Sequence, residues 1–189
     1  RQIHLDLSTC TQIDSTLTQI NPDIIIHMAA ITHIDTCEND KKNGIQGRVW
    51  QINVHATDAI AQYCERTGTF LLFLSTECVF DGKTGRYTEH APTSPINWYG
   101  VTKEAAEQIV LQRCKNSAIL RAVVAYHPEI QAQTLYGSII ELIKKNGVVG
   151  AVTDRIFAPT FTDDIVKSMH QIINQNARGI FHLCSPDDI

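Results

Sequence analysis

The chain has 189 residues, 43% of them hydrophobic and 19% charged, with a formal net charge of −4 and a sequence pI near 6.0. That is an ordinary globular balance, long enough to enclose a core of its own. Weak acidity, with no basic run longer than Lys41-Lys42 or Lys144-Lys145, gives no electrostatic reason to expect nucleic acid or an anionic membrane as partner. No apolar stretch reaches the roughly 18 residues of a membrane span, and no signal peptide opens the chain. The six cysteines are spread out with no Cys-x-x-Cys pair, which predicts reduced thiols in a cytoplasmic protein rather than a disulfide framework. The eight histidines are scattered too, and no metal site is expected.

In chain order, Ile3–Leu7 alternates and predicts a short strand, followed by a short helix over Ile13–Ile20. Asn21-Pro22-Asp23 breaks that helix. Ile24–Ala30 is a continuous apolar run, as expected of a strand buried on both faces. A polar loop is predicted over Asp35–Gly47. Ile52, Ala56, Ala59, Ile60 and Tyr63 then recur at three- and four-residue steps, predicting a helix over Val49–Arg66 that ends at Gly68. Phe70–Leu74 reads as a second buried strand, delivering Ser75-Thr76 at its end. Asp81-Gly82, Gly85, Pro92 and Pro95 carry turn chemistry. Further elements are a helix from Tyr99 to about Cys114, a strand over Ala118–Ala125, a helix over Leu135–Lys145 and a strand over Val148–Val152. Thr162 is expected to cap a helix through Ile173, and Gly179–Cys184 to be the last strand. Such alternation argues for a parallel sheet with helices on both faces, whose ligands bind at the carboxyl ends of the strands.

Tyr99 and Lys103 stand four residues apart, on one helix face. A tyrosine can exchange a proton with an alcohol or alkoxide. A cation one turn away would favour the phenolate and bring the tyrosine pKa toward working pH. Thr76 supplies a hydroxyl that could hold the substrate oxygen; alternation allows only one of Ser75 and Thr76 to face the site. Together these residues suit the reduction or oxidation of a carbon–oxygen bond.

The order of motifs resembles the extended short-chain dehydrogenase/reductases, and among them the dTDP-4-dehydrorhamnose reductase-like proteins. The markers are Pro22–Ala30, Ile52-Asn53-Val54, Leu74–Gly82, Ser94–Lys103, Ile119-Leu120-Arg121, Ala158-Pro159-Thr160 and Gly179–Leu183. The resemblance implies a Rossmann-like α/β fold, a doubly wound parallel sheet, with NAD(P)H as cofactor. The reaction it implies is reduction of a 4-keto-6-deoxy sugar nucleotide. Thr76, Tyr99 and Lys103 would be the catalytic trio, with Tyr99 the proton donor and Lys103 also bonding the nicotinamide ribose. Asp6 would meet the adenine, Ala29 and Ala30 would line the cofactor, and Asn53 would stand near the site. Thr76, Cys78 (where a tyrosine is common) and Arg155 are the substrate-binding candidates.

The family's Gly-x-x-Gly-x-x-Gly phosphate loop does not occur after the opening strand, so the chain reads as starting after the first βαβ unit. Residues 1–127 would form the partial cofactor-binding core. Residues 128–189 would supply the last core elements and part of a small C-terminal substrate-binding region. His27 is expected to be a buried histidine bonded by backbone, and Arg121 to hold a phosphate or a carboxylate. Asp163 and Asp164 read as helix-dipole partners. The expected partners are a sugar-nucleotide substrate and a second copy in a homodimer. Competing readings are a sugar-nucleotide epimerase using the same trio, and a cofactor-binding regulatory subunit resembling that of methionine adenosyltransferase.

Overall fold

Apolar strands alternate with amphipathic helices to build a layered α/β unit. The computed structural model of the chain describes residues 2–127, 135–150 and 158–185. Helix α1 (Cys10–Ile20) leads into β1 (Ile24–His27), followed by α2 (Ile34–Asp40) and a 3-10 segment (Lys41–Gln46). Helix α3 (Arg48–Trp50) passes through a π-helical stretch (Gln51–His55) into α4 (Ala56–Thr67). Next come β2 (Phe70–Thr76), α5 (Trp98–Arg113), β3 (Ser117–Ala122) and β4 (Ala125–Tyr126). Helix α6 (Leu135–Asn146), β5 (Thr160–Phe161), α7 (Thr162–Asn174) and β6 (Gly179–Leu183) complete the described elements.

Four strands form one parallel sheet in the order β1-β2-β3-β6, and β4 and β5 form a separate parallel pair. Strand β2 is central and nearly all buried, which explains its unbroken apolar run. Its side chains alternate between two cores. Leu71 and Phe73 join Ile119 against α1, α4 and α5, through Ile13, Ile60, Tyr63, Ala106 and Val110. Phe70 and Leu72 join Ala118 and Leu120 against α7, through Ile165, Met169 and Ile172. Helices therefore cover both faces, as the alternation predicted. Fully burying such side chains stabilises by about 1.5–3 kcal/mol each.

Several boundaries differ from the sequence reading. Ile3–Leu7 is irregular and pairs with no strand among the described residues: Leu5 and Leu7 pack on the α1/α4 core, while Asp6 closes a turn by accepting from the Ser8 N–H at 2.9 Å. The polar segment expected as a loop over 35–47 is mostly helical. His33 Nδ1 accepts from the Thr36 N–H at 3.3 Å to start α2, and Asp40 Oδ2 accepts from the Val49 N–H at 2.7 Å to start the next helix. Strand β1 stops at His27, before Met28-Ala29-Ala30. The strand predicted over Ala118–Ala125 divides into β3 and β4. Val148–Gly150 is not a strand, and the remainder of that prediction lies outside the described residues. Thr162 does not cap α7: its hydroxyl donates to the Tyr126 carbonyl at 2.8 Å. Gly68 does end α4, in the left-handed region at φ +76.

One buried ion pair ties α5 to β3. Arg121 grips Glu107 with two bonds, Nε to Oε1 at 2.9 Å and Nη2 to Oε2 at 2.6 Å, and both side chains are at most 4% exposed. The carboxylate alternative for Arg121 is thus the one realised. Arg121 also reaches His182 at 3.2 Å and lies over the Phe80 ring, so it anchors the loop that follows β2. Glu107→Gln leaves the Arg121 charge buried without its counter-ion, and is expected to cost about 3–5 kcal/mol of stability in urea unfolding. Replacing both residues by apolar ones of similar volume is expected to cost much less.

Candidate active site

Tyr99, Lys103 and Glu107 recur every four residues on α5, so one helix face carries all three toward the sheet. The start of α5 is fixed by its polar neighbours. Asn97 Oδ1 accepts from the Gly100 N–H at 2.7 Å, and Glu38 of α2 accepts from the Trp98 N–H. Gly100 sits against the Cys78 carbonyl so closely that an added Cβ would overlap it. Glycine there lets α5 begin directly over the end of β2, which sets Tyr99 beside Thr76 and Cys78.

Lys103 is 2% exposed. Its Nζ donates to the Leu74 carbonyl at 2.8 Å and lies 3.9 Å from the centre of the Phe73 ring. Burial pushes its pKa down to about 7, with Glu107 pulling in the opposite direction. Tyr99 is half-buried and its pKa is raised. Desolvation is the main cause, and the neighbouring Cys78, Glu77 and Cys37 add to it; the Thr76 hydroxyl opposes it. This corrects the expectation that Lys103 brings Tyr99 down. The lysine is held by a strand carbonyl and is itself short of solvation, so its charge does not offset the desolvation of the phenol.

Thr76, 5% exposed, ends β2. Its hydroxyl donates to Glu77 Oε2 at 2.7 Å and accepts from the Cys78 N–H at 3.2 Å. Ser75 is buried on the same strand and its Oγ has no hydrogen-bond partner. Of the two hydroxyls, Thr76 is the one next to Tyr99.

Asn53, read from sequence as a cofactor neighbour, is 1% exposed in the π-helical stretch. Its amide donates to the Ile31 carbonyl and to Thr102 Oγ1, both at 3.0 Å, and its Oδ1 accepts from the Ile31 N–H at 2.8 Å. Thr102 in turn donates to the Tyr99 carbonyl at 2.8 Å. Asn53 therefore ties the segment after β1 to the first turn of α5, and these bonds take up its amide donors. Ala29 is exposed and Ala30 half-buried just before Ile31, at the carboxyl end of β1. Asp6 is exposed, and its carboxyl is held below the usual range by the Ser8 backbone N–H. Cys78 is half-buried beside Tyr99. Arg155 lies outside the described residues.

His27 is buried beneath the site, with its ring 5.6 Å from that of Phe73. Thr57 donates its one proton to the Asn53 carbonyl at 2.8 Å, so at 3.0 Å it accepts from His27 Nε2, which must carry the proton. A side-chain hydroxyl, not the expected backbone group, satisfies this histidine. Burial, with the nearby Lys103 charge, takes its pKa down to about 4.

Sequence reading missed Glu77, the Phe73 and Leu74 seat of Lys103, and the Glu38 cap. The one usable signal was the carboxylate directly after Thr76. A cavity of about 340 Å3 lies elsewhere, between the β4–β5 pair and α7, lined by Tyr126, Phe161 and Lys167 among others. Lys167 there is paired with Asp164 in solvent, and nothing in that cavity matches the acid/base grouping around Tyr99.

Lys103 has its ordinary pKa of 10.5 in the unfolded chain and about 7 in the folded one. Between those values the unfolded state binds more protons, so stability rises with pH, by at most about 1.4 kcal/mol per pH unit. The expected outcome is a urea midpoint that climbs from about pH 7 up to the unfolded-state value of 10.5. In Lys103→Met that part of the climb is absent.

A family model described as RmlD substrate binding domain matches residues 1–188. A dTDP-4-dehydrorhamnose reductase of Sinorhizobium fredii is 30% identical over 188 residues, covering 95% of this chain and 61% of that protein. Methionine adenosyltransferase 2 subunit beta of Danio rerio is 27% identical over 175 residues, covering 89% of this chain and 52% of that protein. Among solved structures, the dTDP-4-dehydrorhamnose reductase of Bacillus anthracis in complex with NADP superposes with a TM-score of 0.88 at 28% identity. The match covers 97% of this chain and 63% of that one. The chain thus spans between about half and two thirds of the length of these relatives.

Proposed function

The chain belongs to the RmlD substrate-binding-domain family, and on that footing we propose that it carries the catalytic part of an NAD(P)H-dependent reductase of 4-keto-6-deoxy sugar nucleotides. The observation that carries the reading is that Tyr99 stands beside Thr76 at the carboxyl end of β2, with Lys103 one helical turn on and bonded to the Leu74 carbonyl of the same strand. The similarity to a reductase seen with NADP supports the cofactor.

Tyr99 is the proton donor. Its raised pKa keeps the phenol protonated at neutral pH, the form needed to protonate an alkoxide. Thr76 fixes the phenol against the end of β2, where a carbonyl oxygen can reach it. Lys103 fits a cofactor hydroxyl: an ammonium has three donors, and one goes to the Leu74 carbonyl. A nicotinamide bound there would supply the hydride. Ala29 and Ala30 offer small side chains at the end of β1, where a dinucleotide can approach closely. Asn53 holds the adjoining Ile31 in place and so acts on the cofactor through backbone. Asp6 is assigned to the adenine end, and Cys78 and Arg155 to the sugar nucleotide, by resemblance. A homodimer and a cytoplasmic setting belong to the same reading.

A second reading follows from the likeness to the methionine adenosyltransferase subunit: a cofactor-binding regulatory chain. Tyr99→Phe separates the two. The reductase reading predicts that this variant loses turnover by at least roughly 100-fold, while its NAD(P)H affinity by calorimetry changes little. Wild-type protein that binds the cofactor, copurifies with a partner enzyme and reduces no keto sugar would favour regulation.

A further inference from the structure

The segment from Phe80 to Asn97 joins the turn after β2 to the start of α5 and is irregular throughout. Loops beyond about 12–15 residues with no secondary structure of their own are uncommon in compact domains unless they carry a function. Its first part is braced from within: Tyr87 stacks on Phe80 with ring centres 4.4 Å apart, and its hydroxyl donates to Asp81 and accepts from the Thr84 N–H. Between Tyr87 and Glu89 it is fastened to the sheet by Arg121 of β3 and His182 of β6, which are neighbours across the two strands. The His182 N–H donates to Glu89 Oε1 at 3.2 Å, and Arg121 Nη1 donates to the Glu89 carbonyl at 3.4 Å. The His182 ring stands between loop and sheet, with Nδ1 3.2 Å from the Tyr87 carbonyl oxygen and Nε2 3.2 Å from Arg121 Nη1. A guanidinium only donates and a carbonyl only accepts. Nε2 must therefore accept and Nδ1 must carry the proton, so the two ring bonds together require a neutral imidazole.

We propose that His182 is a proton-operated latch on the loop Phe80–Asn97: neutral, it pins Tyr87 and Glu89 to the sheet, and protonated it lets them go. Protonation puts an N–H on Nε2 facing an Arg121 N–H, two donors and two positive charges at 3.2 Å. Arg121 does not yield, because Nε and Nη2 are bound to the buried Glu107. The loop is the weaker side: Tyr87 and Glu89 are half-buried, and Lys83, Thr84 and Arg86 between the braces are exposed. The charged groups facing His182 are Glu89 of the loop, Arg121 of β3 and Glu107 of α5. The two carboxylates favour the charged ring, but desolvation together with Arg121 outweighs them, and the His182 pKa lies below its ordinary 6.5. A released His182 returns toward that value, so the open loop binds more protons and gains on the closed one as pH falls below 6.5. The loop leads from the Thr76 turn to Tyr99, so its release loosens the frame between them. The latch stands whether the chain is a reductase or a regulatory subunit.

The test is hydrogen exchange by mass spectrometry between about pH 5 and about pH 8, each rate divided by the intrinsic chemical rate at that pH. In wild type, protection of peptides spanning 80–97 is expected to hold above pH 6.5 and to fall below it by up to about tenfold per pH unit, while peptides of α4 and β2 keep theirs. In His182→Gln, which takes up no proton, loop protection is expected not to vary with pH, whatever its level. Glu89→Gln keeps an acceptor for the His182 N–H but removes a charge that favours the protonated ring in the closed loop, so its loss of protection on acidification is expected to exceed that of wild type. Wild-type loop protection that does not respond to pH, or an equal response in His182→Gln, overturns the latch. Should His182→Gln not fold, wild type and Glu89→Gln decide: a smaller acid response in Glu89→Gln than in wild type overturns it.

Discussion

At Gly100 the start of α5 and the turn after β2 come so close that no side chain fits between them. The rest of the site depends on that contact. It brings Tyr99 to Thr76, lets Lys103 reach back to the Leu74 carbonyl, and puts Glu107 one turn further on, over Arg121. Three polar contacts hold it in place: Asn97 and Glu38 on the open amides of α5, and Asn53 through Thr102 on the helix's first turn. The two partners of α5 are joined through it, since Asn53 also grips the segment leaving β1.

That packing has an electrostatic cost. Tyr99, Lys103 and His27 all lose solvent, and each is driven toward its neutral form. The lysine keeps a carbonyl and an aromatic face, which hold an ammonium less well than water does. Glu107 offsets part of the loss, but Arg121 already binds both of its oxygens. A site in this condition gains from any ligand that brings hydroxyls or negative charge to Lys103. Binding and protonation at α5 are therefore coupled.

Much of this was legible in the sequence, for identifiable reasons. The run Phe70–Leu74 announces a strand buried on both sides, and Gly68 a helix end, because each is a local property of the chain. Tyr99 and Lys103 are legible because a four-residue step on a helix has one geometry. What was lost depends on tertiary neighbours. Ile3–Leu7 alternates like a strand but finds no strand partner among the described residues, and the polar stretch after Ile34 folds as helix because His33 and Asp40 supply its caps. The sign of the Tyr99 shift was misread for the same reason: spacing places a cation near the phenol, but only packing reveals how little water either group keeps. Asn53 reads as a residue beside the site until its bonds to Ile31 and Thr102 appear.

The central claim is that this α5 face delivers one proton to a keto oxygen while the carbon receives a hydride from NAD(P)H. The most direct test is to supply the protein with NADPH deuterated at the transferring position and a dTDP-4-keto-6-deoxy sugar, then analyse the product by mass spectrometry and proton NMR. The account predicts one deuterium at the reduced carbon and one cofactor oxidised for each sugar converted. Sugar isomerised without net oxidation of cofactor, or cofactor bound with no sugar converted, would contradict it.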